Sequence, residues 1–416
     1  MKIYFFLILI FFYSCKKKSG TILQSEAKTI ENHINKTAKQ DEKISILRDF
    51  EIKNEKYSYD SIVRNNLFFL ATKYFQLNQP QDFRRVSEKL ELLSFQNKDF
   101  EANVQSNVFL ATFYQNNYNL DSAFYFYNKA EKQTILLKDN PFLTSIYLGK
   151  SDILYNKKDF LGSELKSIKA LKIALFKNDY DDVVILTYIR IGNALYGMQN
   201  YTEALKYYEK AINTMTSIKD EKQKVLFKHI IYNAISKVYE NQKQFKKILI
   251  YLNEKIDFAQ IKNIEIQTYS YLINRLGHSK FKLGDKTAKS HFLETLKIGD
   301  SLQFAPIQIT SKTYLGEYYL QYKDTLQANR YLIDAKMQAH KNAIFEDELI
   351  LTQLLAKANP KKEGFYFNRY IALNDSLQNV ERATRDKFAR IEFETEEIKA
   401  QKEEVTLQND SLRLRI

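Results

Sequence analysis

The segment from Ile185 to Thr216, ILTYIRIGNALYGMQNYTEALKYYEKAINTMT, constrains the chain more than any other stretch. It holds two apolar helical patterns separated by a short polar turn. Small residues stand at Gly192, Ala204 and Ala211, and large ones at Tyr188, Ile191, Leu195, Tyr201 and Tyr208. Two helices folded back on each other need this arrangement. Small side chains let the axes approach, and aromatic and aliphatic ones fill the space beside the contact.

The same pattern recurs. Equivalents of Gly192 fall at Ala71, Ala111, Ser151, Ser236, Gly277 and Gly316, at steps of 39 to 44 residues. The small residue of the second helix recurs as Ala123, Ser163, Ala204, Ala288 and Ala328, while Ile248 replaces it in the fifth unit. Seven units on one period predict an array of helical hairpins. An eighth is expected from Phe345 to Leu377, broken at Asn359-Pro360 and Gly364, with Phe365-Tyr366-Phe367 packing on the repeat before it. Composition agrees, since ten Gly and four Pro in 416 residues leave few turns for a strand-rich fold.

The residues around Gly192 resemble the tetratricopeptide repeat (TPR) pattern of aromatic, Leu-Gly, aromatic, Ala, aromatic, Ala, Pro. The final Pro is Thr216 here, and Leu195 replaces one aromatic. The resemblance implies an all-α, right-handed TPR-like superhelical solenoid of about seven to eight hairpins, with a concave face lined by first helices. A period near 40 exceeds the ~34 residues of TPR units and would also suit HEAT-type helix pairs; the small-residue positions favour TPR. The array is expected over 61–378, after capping helices at 25–60 that cover the open end of the first repeat.

The ends differ in character. Ile3 to Tyr13 is an unbroken apolar run, too short to span a bilayer and suited to a secretory signal, and the only cysteine, Cys15, follows it. This resembles a bacterial lipoprotein signal over 1–15, which implies lipid attachment at Cys15, a tether over 16–24, and a location at the cell envelope facing periplasm or exterior. At the other end, 379–416 reads as a coiled-coil helix. Phe388, Thr395, Lys402, Asn409 and Ile416 take the a positions of a heptad, and Ile391, Ile398, Val405 and Leu412 the d positions. Asn409 favours a parallel homodimer in fixed register. The segment Asp386 to Ile398 is similar to the juncture of bacterial TPR sensor-regulators, in which array and coil lead to a membrane helix and a helix-turn-helix or histidine-kinase domain. The sequence ends at Ile416 with neither part.

No catalytic constellation stands out. His33, His229, His278, His291 and His340 lie in different repeats without a metal-ligand partner at helical spacing, so no metal or cofactor is expected. Gly284-Asp285-Lys286-Thr287 lacks the upstream glycine and preceding strand of a phosphate loop and reads as the turn of the sixth repeat. Glu396-Glu397 and Glu403-Glu404 fall on solvated faces where nothing would raise a carboxyl pKa. The formal charge of +13 is spread along the chain, so nucleic acid is not an expected partner.

What remains is surface. The TPR resemblance carries peptide-contacting groove positions onto Asp152, Tyr155 and Asn156 of the third repeat and Asn193 and Tyr196 of the fourth. It adds Asn233, Lys237 and Glu240 of the fifth, then Glu317 and Gln321 of the seventh. Amide side chains can donate to and accept from a peptide backbone, and Lys237 can meet a carboxylate. The expectation is a membrane-anchored scaffold or sensory protein that binds a protein or peptide partner without catalysis. The alternative is the sensory part of a truncated or split regulator.

Overall fold

A computed structural model describes residues 23–134, 137, 142–176 and 181–413. Cys15 and Ile416 lie outside them. Two helices, α1 (Leu23–Lys36) and α2 (Gln40–Asn54), come first. Hairpins follow: α3 (Ser61–Gln76) with α4 (Pro80–Gln96), α5 (Phe100–Asn116) with α6 (Leu120–Thr134), and α7 (Leu143–Asn156) with α8 (Phe160–Phe176). Next come α9 (Asp181–Gly197) with α10 (Tyr201–Thr214) and α11 (Glu221–Asn241) with α12 (Phe245–Lys255). A short α13 (Phe258–Ile264) precedes α14 (Ile266–Lys282) with α15 (Ala288–Ser301) and α16 (Ala305–Gln321) with α17 (Thr325–Lys341). The eighth pair is α18 (Phe345–Ala358) and α19 (Glu363–Arg413). No strand occurs among the described residues.

The described chain forms two compact units, one of 23–153 with 388–413 and one of 154–387. Within the units, close approach in the hairpins rests on the small residues. A Cβ on Gly192 would lie 2.5 Å from Tyr208 Cε1, and one on Gly316 would lie 2.4 Å from Leu332 Cδ2. Ala71, Ala111, Ser151 and Ser236 are fully buried, as are Ala123, Ala204, Ala288 and Ala328 in the second helices. First helices have second helices on two sides: α9 packs on α8 and α10, and α16 on α15 and α17. They are therefore buried around much of their circumference and show little amphipathic contrast.

The turns explain how so many hairpins form with so few glycines. Within the seven hairpins from α3–α4 to α16–α17, the turn residue in the left-handed region is Asn78, Tyr118, Lys158, Gln199, Lys243, Gly284 or Lys323. The next amide then bonds back to the last turn of the first helix, as in Asn200 N to Leu195 O (2.9 Å) and Asp324 N to Tyr319 O (2.9 Å). This Schellman closure satisfies orphan carbonyls, and only Gly284 meets the left-handed requirement without a Cβ penalty. Several of the residues that follow cap the second helix, as Asn200 does at Glu203 N and Asp324 at Gln327 N. Gly284-Asp285 is thus a turn.

The C-terminal part departs from expectation in two ways. Gly364 breaks nothing: it lies in the first turn of α19, which runs unbroken to Arg413 and so joins the eighth hairpin to the coil segment. Of Phe365-Tyr366-Phe367, only Tyr366 packs against the core of the preceding hairpin; Phe365 and Phe367 are exposed. No described helix is long and apolar enough to cross a membrane.

Candidate functional site

In the unit of 154–387, side chains from consecutive first helices meet in one charged cluster. Its backbone is a row of residues that directly follow the small residue of each first helix: Asn193, Lys237, His278 and Glu317. Close helix packing at the small residue fixes the neighbouring position, which brings these side chains into register from helix to helix.

Glu240 of α11 is the hub. It pairs with Arg275 of α14, whose Nε donates to Asn233 Oδ1 at 3.2 Å, and it accepts from His278 Nδ1 at 2.6 Å. His278 Nε2 faces Glu317 of α16 at 3.7 Å, and Lys282 closes on the same carboxylate at 2.7 Å. The imidazole stacks on the ring of Tyr314, with centroids 4.2 Å apart and planes within 10°. Beside the cluster, Tyr208 donates to Asn193 Oδ1 at 2.8 Å, and Asn241 donates to the Tyr196 hydroxyl.

Two opposed effects set the charges. Burial works against ionisation of Glu240, but Arg275, His278 and Lys237 outweigh it and hold the carboxyl down to about 2. Glu317 is likewise disfavoured by burial and brought down to about 2 by His278 and Lys282. Burial disfavours the charged form of His278, yet its two flanking carboxylates push its pKa up. Lys237 moves the other way, lowered to about 8 by desolvation and by repulsion from Arg275, with Glu240 only partly offsetting them. Lys237 is crowded by the surrounding helices yet keeps exposed surface, and its ammonium makes no ion pair or hydrogen bond among the described residues. Arg275 and Lys282 thus pair directly with the two carboxylates, His278 lies between them, and Lys237 stands outside the ion pairs, where it can meet an anionic group.

The sequence-derived positions divide. Asn193, Tyr196, Asn233, Lys237, Glu240 and Glu317 belong to this cluster or border it, while Gln321 is exposed one turn beyond Glu317. Tyr155 is half-buried against the ring of Phe160 (centroids 5.4 Å apart), and Asn156 is exposed. Asp152 falls in the other unit and is buried at 4 % exposure, which leaves little of it to meet a ligand. The sequence reading carried no groove position from the sixth repeat and so missed Arg275, His278 and Lys282, together with Tyr314 of the seventh. The signal was present, because His278 stands directly after Gly277 as Asn193 does after Gly192. No group of metal-ligating side chains occurs among the described residues.

The coil positions also divide. Phe388 is 1 % exposed and stacks on Phe124 of α6 in the unit they share, with centroids 4.1 Å apart and planes within 16°. The expectation that it faces a second chain does not describe this conformation. Burying its ring contributes roughly 2 kcal/mol, and the stacking about 1 more. Ile391 is half-buried. Thr395, Ile398, Lys402, Val405, Asn409 and Leu412 lie on helical backbone, and their side chains are outside the described ones.

No family model matches the chain, and no curated protein sequence does. Solved structures do resemble it. The apo quorum sensor NprR from B. thuringiensis has a TM-score of 0.62 at 13% identity, over 84% of this chain and 98% of that one. A Rap protein complexed with competence and sporulation factor has a TM-score of 0.60 at 13% identity, over 86% and 99%. NprR in complex with its cognate peptide NprX has a TM-score of 0.54 at 13% identity, over 85% and 99%. At such identity the likeness speaks to fold alone. This chain has an all-α, TPR-like superhelical fold.

Proposed function

We propose that this protein is a binding scaffold that holds a peptide or an extended partner segment against its first helices α9, α11, α14 and α16. The observation that carries the reading is the row Asn193, Lys237, His278, Glu317, beside a cluster of ion-paired groups. In it Lys237 feels the Glu240 charge, but its ammonium makes no direct ion pair or hydrogen bond among the described residues. Asn193 and Asn233 keep amide donors for a peptide backbone, and Lys237 takes a carboxylate from the ligand. The likeness to NprR in complex with a peptide, over 85% of this chain, agrees with this reading.

The test is selection of binders from a displayed random-peptide library on the purified chain. Enriched peptides are expected to lose at least tenfold in affinity when Asn193 and Lys237 are both changed to Ala, with helicity unchanged. Equal affinity for the double variant would refute the assignment.

In the same reading the protein is exported and held at a bacterial cell envelope by lipid on Cys15, so Cys15→Ser should move it from the membrane to the soluble fraction. Retention would point to an uncleaved anchor. A second reading, the sensory part of a regulator, draws on α19: a helix from Glu363 to Arg413 suits an output arm better than an end cap. Reading the coding sequence past codon 416 separates the two.

A further inference from the structure

Phe388 is the one buried residue of α19 among those whose side chains are described; its neighbours Asp386, Lys387, Ala389 and Arg390 are exposed. Among the described side chains of 388–413, the Phe388 ring is thus the one most deeply seated in this unit. The receiving surface is built for it. Phe124 supplies the flat face, and Lys150 of α7 sits over the same ring, its ammonium 5.2 Å from the centroid. Lys150 is itself fixed by an ion pair with Glu131 of α6, both side chains wholly buried. A buried cation polarises the aromatic floor and adds to ring stacking on it. In the unit of 154–387, α19 is also tied by Glu381 to Lys158, which meets Glu346 at 3.4 Å.

Phe388 is also the first a position of the heptad that ends the chain. A seam residue must bury its side chain against a partner helix, and one ring cannot do both. We infer that the face of α6 and α7 around Phe124 is a binding seat for an aromatic side chain carried on a helix, that this chain's own Phe388 is its resident occupant, and that seating and pairing of C-terminal helices between two copies exclude each other at this residue. The seat lies in a different unit from the Lys237 cluster, so the inference stands whether or not peptides bind there.

The chain contains no tryptophan, so Phe388→Trp in the full chain with Cys15→Ser gives a single reporter. Its emission should be blue-shifted and shielded from acrylamide, at every protein concentration. Adding Phe124→Leu, which keeps the core filled but removes the stacking face, should shift emission red and raise quenching severalfold. With Phe388 retained, Phe124→Leu alone should form dimers, by light scattering, at a concentration at least tenfold below that of the parent. Phe388→Ala, which cannot collapse the array, should speed trypsin cleavage after Arg385, Lys387 and Arg390 at least tenfold. A solvent-exposed indole in the Phe388→Trp chain, shielding that appears only at high concentration (a seat filled by a second copy), or unchanged dimerisation in Phe124→Leu would each overturn the proposal.

Discussion

Glu240 and His278 show how two side chains tie three first helices together, Glu240 joining α11 to α14 and His278 carrying the link on to α16. The Glu240 carboxylate is the shared partner of Arg275 and His278, and Glu317 holds His278 from the far side. Removing one cation leaves buried negative charge uncompensated, so Arg275→Met should cost about 3 kcal/mol of stability in a denaturant titration. The pH dependence has two arms. Glu240 and Glu317 sit at about 2 in the folded chain, below the unfolded carboxylate range, so their contribution is full above that range and is lost as pH falls toward 2. His278 is raised, so its contribution is full below the ordinary histidine value and fades as pH rises through the raised one. Melting temperature should therefore fall on both sides of mildly acidic pH, with Glu240→Gln flattening the acid arm and His278→Asn the other. Identical pH profiles for parent and variants would contradict this. Position in the repeat was enough to find Asn193, Lys237 and Glu317. The pairing of Arg275 with Glu240 was not legible, because it depends on how side chains 35 residues apart meet across helices.

The hairpin is the element on which the fold rests. Gly192 packs on Tyr208, so Gly192→Ala should force the helices apart and cost roughly 1–3 kcal/mol by overpacking. Tyr208→Leu in the same chain should recover part of that loss in a double-mutant cycle. The turns make the opposite prediction. Gln199 and Lys323 hold left-handed backbone with exposed side chains, so Gln199→Gly or Lys323→Gly should stabilise by about 0.5–1 kcal/mol, read as a rise in melting temperature. A loss instead would mean that these side chains do more than occupy a turn. Period and small-residue positions made the hairpins legible. Apart from Gly284-Asp285, the turn conformations were not, because a left-handed Lys or Gln leaves no compositional mark. The start of α19 was not legible for a related reason: Gly364 signals a break only where the chain must turn, and here the helix has already begun and passes through it.

For the whole molecule, the sequence carried the fold class, because a period held through seven units admits few architectures. It carried less of the function, since a binding surface is defined by which side chains are left without partners, and that emerges only once the others have paired. Lys237 illustrates this: the repeat pattern marks its position, but only the pairing of Arg275, His278 and Lys282 with the carboxylates shows that its ammonium stands outside the direct ion pairs. The most direct test is hydrogen exchange on the full chain with and without a peptide selected on it. Added protection should concentrate on the inward positions of α11, α14 and α16 and be lost in the Asn193→Ala/Lys237→Ala variant. Protection confined to the second helices α12, α15 and α17, or unchanged in that variant, would contradict the account.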